Sequence, residues 1–243
     1  MSPIGSSDFN QQPTAAPTSN LGETPNRVLM GGGSNSQSGR WLWASGFESG
    51  LAEWYIAGSR FVALDSSIAY QGANSATLTT QALANDYAQI LKILMPYGSS
   101  FGLEMAFAIG LEFFQYEISF IILGKNKANN LKAQGQIIIT VNPGVSANLY
   151  YVNISGARVL IANIKTQFET ASFAFRYIKI VYDPYENIIK RVYFNRALYE
   201  LNVSGSLVGS ADETTTFDIM VTTLAADSVK MWIDNVIITA DEP

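Results

Sequence analysis

The sequence predicts an all-β chain, an antiparallel two-sheet sandwich preceded by an extended N-terminal arm. Three observations predict it. From Trp41 onward, apolar runs alternate with polar residues at a period of two and stop at turns rich in Gly, Pro, Asn and Asp. The first and last of these runs each set an acid beside bulky apolar residues. They are Gly46-Phe47-Glu48-Ser49-Gly50-Leu51-Ala52-Glu53-Trp54 and Val229-Lys230-Met231-Trp232-Ile233-Asp234-Asn235-Val236. Residues 1–40 differ sharply: they hold four of the eight prolines, seven serines, Gly31-Gly32-Gly33 and one aromatic, Phe9.

Taken in order, the arm comes first. It lacks the apolar side chains whose burial would offset its own ordering entropy. It is therefore expected to order against a neighbouring subunit, by strand addition and through Ile4, Phe9, Leu21, Val28 and Leu29 as anchors. The sandwich is expected to occupy residues 41–243. Residues 81–94 admit a helix, although Ile90-Leu91-Lys92-Ile93-Leu94 reads equally well as a strand. Leu103, Met105, Phe107 and Ile109 alternate with Glu104, Ala106 and Ala108, and Tyr116, Ile118, Phe120 and Ile122 repeat the pattern. The β-branched run Gln136-Ile137-Ile138-Ile139-Thr140-Val141 stops at Asn142-Pro143-Gly144. Leu149-Tyr150-Tyr151-Val152 and Arg158-Val159-Leu160-Ile161 flank Ser155-Gly156 as in a hairpin. Tyr177-Ile178-Lys179-Ile180-Val181-Tyr182 runs through Asp183-Pro184-Tyr185-Glu186-Asn187 into a strand from Ile188 to Phe194. Residues 214–224 and 229–239 supply the last two strands of about a dozen.

Composition narrows the function. Hydrophobic residues make up 48% and charged ones 14%, against about 25% charged in ordinary soluble domains. The net charge of −5 provides no basic field for nucleic acid or anionic membrane. No apolar run reaches the roughly 18 residues of a membrane span, and no secretory signal is visible at the N-terminus. Cys and His are both absent, which excludes disulfides, thiolate metal sites and Ser-His-Asp or Cys-His catalysis.

The series Phe47-Glu48-Ser49-Gly50, Trp54, then Gly72-Ala73-Asn74-Ser75-Ala76-Thr77-Leu78 resembles the opening of jelly-roll carbohydrate-binding modules of the xylan- and glucan-binding kind. Trp232-Ile233-Asp234-Asn235-Val236 resembles their closing strand. The middle is similar to laminin-G and concanavalin-A-like sandwiches, with Asn195-Arg196 where those usually carry Gly in the turn. The module resemblance implies a structural calcium held by Glu48 and Asp234, with backbone carbonyls completing its six to eight oxygens.

Glycan-binding modules stack sugars on exposed aromatic rings. Trp41, Trp43, Trp54 and Trp232 are expected to pack where the first and last strands close the sandwich. Tyr150, Tyr151, Tyr185 and Tyr193 are the candidate glycan contacts, with Tyr182 and Tyr199 as further surface candidates. No paired-carboxylate motif of a sandwich glycosidase occurs. Glu112 and Glu117 are five residues apart, which puts them on opposite faces of a regular strand. Asp212-Glu213 and Asp241-Glu242 read as solvated loop and tail. No catalytic residue is assigned and no enzyme is expected.

The expected function is a non-catalytic structural protein of a large extracellular assembly. A phage virion component, decorating the capsid or belonging to the tail, fits best, with homo-oligomeric or other structural subunits as partners. The alternative is a secreted carbohydrate-binding or adhesion module whose partner is a cell-surface glycan.

Overall fold

The structure is a computed structural model that describes residues 39–58, 61–95, 98–110, 114–127, 131–168, 174–210 and 214–243. Among these, sixteen strands numbered in chain order form two eight-stranded antiparallel sheets. The arm anchors Ile4, Phe9, Leu21, Val28 and Leu29 lie outside the described residues, as do Glu112, Asp212 and Glu213.

The first sheet runs β13 (Ala197–Ser204), β12 (Ile188–Phe194), β11 (Arg176–Asp183), β6 (Phe101–Ile109), β16 (Lys230–Ala240), β4 (Ser75–Thr79), β3 (Phe61–Asp65). β1 (Arg40–Ser45) also pairs with β16, so the first and last strands are adjacent as expected. The second sheet runs β10 (Arg158–Asn163), β9 (Ser146–Val152), β8 (Leu131–Asn142), β7 (Tyr116–Lys125), β15 (Thr215–Thr223), β5 (Tyr87–Leu94), β2 (Tyr55–Gly58), with β14 (Ser206–Ser210) also on β8. The helix-or-strand ambiguity at 81–94 resolves as strand β5, because Ile90 and Ala88 must face a flat sheet layer rather than a helical stripe.

Period-two alternation sends one set of side chains from each sheet into a shared core. Leu103, Met105 and Phe107 of β6 meet Ile118, Phe120 and Ile122 of β7, with Phe107 and Phe120 centroids 5.5 Å apart. Tyr182 belongs to this core and not to the surface. It is fully buried, it donates from its hydroxyl to Asn187 Oδ1 at 2.7 Å, and Gly135 of β8 leaves room for its ring. A Cβ at Gly135 would collide with that ring. At the β12–β13 turn Asn195 takes φ +52° and its side-chain oxygen accepts from the Tyr177 amide at 2.9 Å. Asn tolerates the left-handed region better than most side chains, so the turn closes without glycine.

The four tryptophans lie around the closing strands. Trp54 is 7% and Trp232 4% exposed, while Trp41 and Trp43 are half-buried. Trp54 stacks on Phe47 at 5.6 Å and meets Trp43 edge-on at 4.9 Å. Trp232 donates to Asp65 Oδ2 at 3.1 Å, and the same carboxylate accepts from Lys230 Nζ at 2.9 Å. Hydrogen bonds from Ser67 and Lys230 hold the Asp65 carboxyl well below the usual carboxylate range.

Glu242 corrects the expectation of a solvated tail. It is buried on the outer side of the first sheet, where Lys179 Nζ lies 2.8 Å from its Oε1 and 3.4 Å from Glu104 Oε2. Composition near a terminus does not reveal such a pairing, because the partners come from β6 and β11.

Candidate functional site

Two arrangements carry chemistry. The first is a carboxylate clamp on the loop before β4. In β16, Asn235 takes φ +50° within a register shift against β6 between Asp234 and Ile237. Such bulges re-aim side chains, and here Asp234 turns to the loop. Its Oδ2 accepts the amides of Tyr70 (2.8 Å) and Gln71 (2.9 Å), and its Oδ1 accepts that of Asn235 (2.7 Å). Glu48 grips the same loop further on, with Oε1 accepting the amides of Ala73 (2.7 Å) and Asn74 (2.9 Å). Gly72, at φ +77° between the two grips, is the residue the clamp requires, since a Cβ there would collide with the Glu48 carboxylate.

Burial pushes the Asp234 carboxyl up to about 7, the three amide hydrogen bonds oppose that, and the negative charge of Glu48 adds to it. The two acids paired from sequence thus sit close enough to feel each other. Asn235, the residue after Asp234 in β16, keeps its Oδ1 buried without a hydrogen-bond partner. An orphaned oxygen on the residue after a buried carboxylate fits a hard cation. Among the described residues no group of three or more His, Cys, Asp or Glu assembles. A cation here would therefore lean on neutral oxygens, Asn235 Oδ1 and backbone carbonyls, besides Glu48 and Asp234.

The tyrosines picked from sequence are dispersed. Tyr151 points inward and packs against the core. Tyr193 stands on the outer face of the first sheet, level with Lys179 and Leu198. Tyr185 is exposed on the β11–β12 turn, with Lys127 Nζ 5.6 Å from its ring centre. Tyr150 alone of the four lies on the outer face of the second sheet, level with Ile138 and Leu160.

That outer face is the second arrangement. Register places Tyr150, Ile138, Ser119, Met220, Gln89 and Ala57 in one row across β9, β8, β7, β15, β5 and β2. The next row on one side holds Ile121, Asp218, Leu91 and Tyr55. The next on the other side holds Thr140, Glu117, Thr222 and Tyr87. Tyr55 is 63% and Tyr87 40% exposed, flanking Gln89 on the same surface. Polar side chains knit the middle: Gln134 donates to Gln136 (2.8 Å) and Gln136 to Ser119 (3.3 Å). Arg158 forms a two-pronged pair with Glu117, one prong at 2.9 Å, and Thr140 also donates to Glu117. Asp218 is only 5% exposed although it faces outward; it accepts from Gln89 and keeps Oδ1 unpartnered.

This face was missed in the sequence because Thr216-Phe217-Asp218-Ile219-Met220-Val221 reads simply as a strand. The usable signal was the acid itself, a charge at the centre of an alternating run whose opposite residues are all apolar. Glu117 and Asp218 do not form a hydrolytic pair. Their ladder partners, Thr222 and Ile121, set them four residues apart on neighbouring strands, about 14 Å along the sheet. Glycosidase carboxyls lie about 5 to 9.5 Å apart.

No protein-family model and no curated protein sequence matches the chain. Solved structures do match its fold. An endo-β-1,4-glucuronan lyase from the fungus Trichoderma reesei aligns at TM-score 0.55 and 15% identity, over 82% of this chain and 95% of that one. The cellulose induced protein Cip1 aligns at 0.56 and 14%, over 82% and 97%. A carbohydrate esterase from the Shiga toxin-encoding bacteriophage phi24B aligns at 0.57 and 13%, over 84% and 99%. At these identities the likeness shows the fold alone, and the chain is an antiparallel two-sheet jelly-roll β-sandwich.

Proposed function

We propose that the chain is a non-catalytic carbohydrate-binding β-sandwich that holds a glycan on the outer face of its second sheet. The observation that carries this reading is the surface itself. Aromatic rings stand at both sides, Tyr55 and Tyr87 on one and Tyr150 on the other, about 19 Å or more apart across the strands. Between them lie hydrogen-bonding groups fixed by their neighbours. Flat rings beside fixed polar groups are what sugar rings need for stacking and orientation. Fold likeness to proteins named for glucuronan, cellulose and carbohydrate esters supports the reading.

Affinity electrophoresis in soluble xylan and soluble β-glucan tests it. Retardation by at least one polymer is expected. Tyr55→Ala and Tyr87→Ala should each weaken it about tenfold, roughly 1.4 kcal/mol, while Tyr185→Ala should leave it unchanged. Absence of retardation by both polymers, or loss on Tyr185→Ala alone, overturns the assignment.

A place on a phage particle is the second reading. The composition of residues 1–40 favours it, and the phage esterase shows that this fold occurs in phage proteins. A chain lacking residues 1–40 separates the two readings: it should keep glycan binding and lose incorporation into the parent particle.

We also propose that Glu48, Asp234 and Asn235 hold a structural calcium, whose contribution is to lock the loop before β4. Protein loaded with calcium should lose several degrees of melting temperature on addition of chelator, since the ion binds only the folded state. Asp234→Ala should remove that sensitivity. Equal melting with and without chelator would leave the clamp a purely hydrogen-bonded one.

A further inference from the structure

Asp218 occupies an unusual position on the face just described. Its direct neighbours across the ladder are Ile121 and Leu91, and Met220 stands next along its own strand on the same side. One carboxylate oxygen accepts from Gln89, and the other is buried with no donor. An acceptor deprived of water and left unpaired is costly unless something supplies the missing hydrogen bond. The side chains over this oxygen must part for a ligand to reach it, and a glycan hydroxyl is then the donor that the proposed ligand would bring.

We propose that Asp218 is the specificity-determining group of the glycan face, that its free oxygen accepts hydroxyl hydrogens of a neutral polysaccharide, and that capture is coupled to release of its proton. This rests on the reading of the second sheet as a glycan platform. A hydroxyl donating to an ionised carboxylate makes a stronger bond than one donating to the acid form. The sugar therefore favours the ionised form, and affinity rises with pH. An acidic polymer meets the same negative charge and is disfavoured, because among the described residues no Lys or Arg stands in the rows beside Asp218.

The charges around Asp218 support this. Among the described residues, those sharing its face are Tyr87 on β5, Tyr55 on β2, Glu117 and Lys125 on β7, Lys132 on β8, Tyr150 on β9 and Arg158 on β10. Arg158 is engaged by Glu117, and Lys125 and Lys132 stand opposite each other at the far end of β7. None of them shifts Asp218. Burial pushes its carboxyl up to about 7, and the Gln89 hydrogen bond only partly opposes that. The unliganded fold thus favours the acid form more than the unfolded chain does. The stability Asp218 contributes is full below the ordinary carboxylate value of 3.8 and is lost as pH rises towards 7.

Titration calorimetry of the full chain with soluble xylan and soluble β-glucan, in two buffers of different ionisation enthalpy, tests the coupling. Affinity should rise about tenfold between roughly pH 6 and pH 8, with a proton released on binding below neutrality. Asp218→Asn should bind more weakly, with a flat pH profile and no proton release. Asp234, on the other sheet, titrates in the same range, so it is this variant that assigns the slope. Binding that depends on Tyr55 and Tyr87 but shows no pH slope, or a slope that persists in Asp218→Asn, overturns the inference and leaves the glycan platform standing. Tighter binding of polygalacturonate than of either neutral polymer overturns the specificity. No binding of either neutral polymer removes the platform and the inference together.

Discussion

A chain lacking residues 229–239 is expected to show no cooperative melting transition. The segment contains most of β16, which lies inside the first sheet and not at its edge. β6 pairs with it from Met231 to Ala240, β4 pairs with its first half, and β1 pairs with its second. Met231, Ile233, Val236 and Ile238 point into the core and are fully buried. Each such side chain contributes about 1.5–3 kcal/mol on burial, so their loss alone rivals the 5–15 kcal/mol stability of a typical domain. The deletion also detaches β1 and β4, unpairs an edge of β6 and removes the Asp234 grip on the loop. Circular dichroism and calorimetry of the purified variant check this. A soluble product with a single sharp transition would show that the sheet closes without its last strand.

The second large effect is expected at Lys179. Its ammonium is fully buried between Glu242 and Glu104, and Tyr177 donates to the same Glu104 oxygen at 3.1 Å. Glu242 is held further by Thr239 and, at 3.6 Å, by Arg191. Lys179→Met leaves two carboxylates facing each other out of water. Breaking a buried pair by removing one partner costs about 3–5 kcal/mol. At roughly 2–4 °C per kcal/mol for a domain of this size, melting should fall by about 6–20 °C. Glu242→Gln should cost less, because the amide still accepts from Lys179. The double variant Lys179→Met with Glu242→Gln should recover part of the loss, since only one of the two facing acids then remains charged. A loss below about 1 kcal/mol in Lys179→Met would mean that solvent reaches the cluster.

These two predictions mark where local pattern suffices and where it does not. The strands were legible because alternation is a property of neighbouring residues: Leu103, Met105 and Phe107 declare a buried face whatever they pack against. The pairing of first and last strands was legible from two acids set in similar apolar surroundings. Glu48 and Asp234 do grip one loop, although Asp234 lies 163 residues along the chain from Gln71, whose amide it accepts.

What alternation leaves open is which polar positions become neighbours, because that depends on strand order and register. Tyr150, Tyr151, Tyr185 and Tyr193 look alike in sequence, yet they end on the second sheet's outer face, in the core, on a turn and on the first sheet. Tyr55, Tyr87 and Asp218 lie far apart in the chain and are brought to one surface only because β2, β5 and β15 are consecutive in the sheet. Glu242 reads as a tail residue until β6 and β11 supply Glu104 and Lys179. The sequence by itself determined the β-sandwich and its closing strands, since burial periodicity is local. Only the tertiary structure decided the tyrosine-flanked face around Asp218 and the buried ion cluster, since both are made by contacts between strands that the chain visits in a different order.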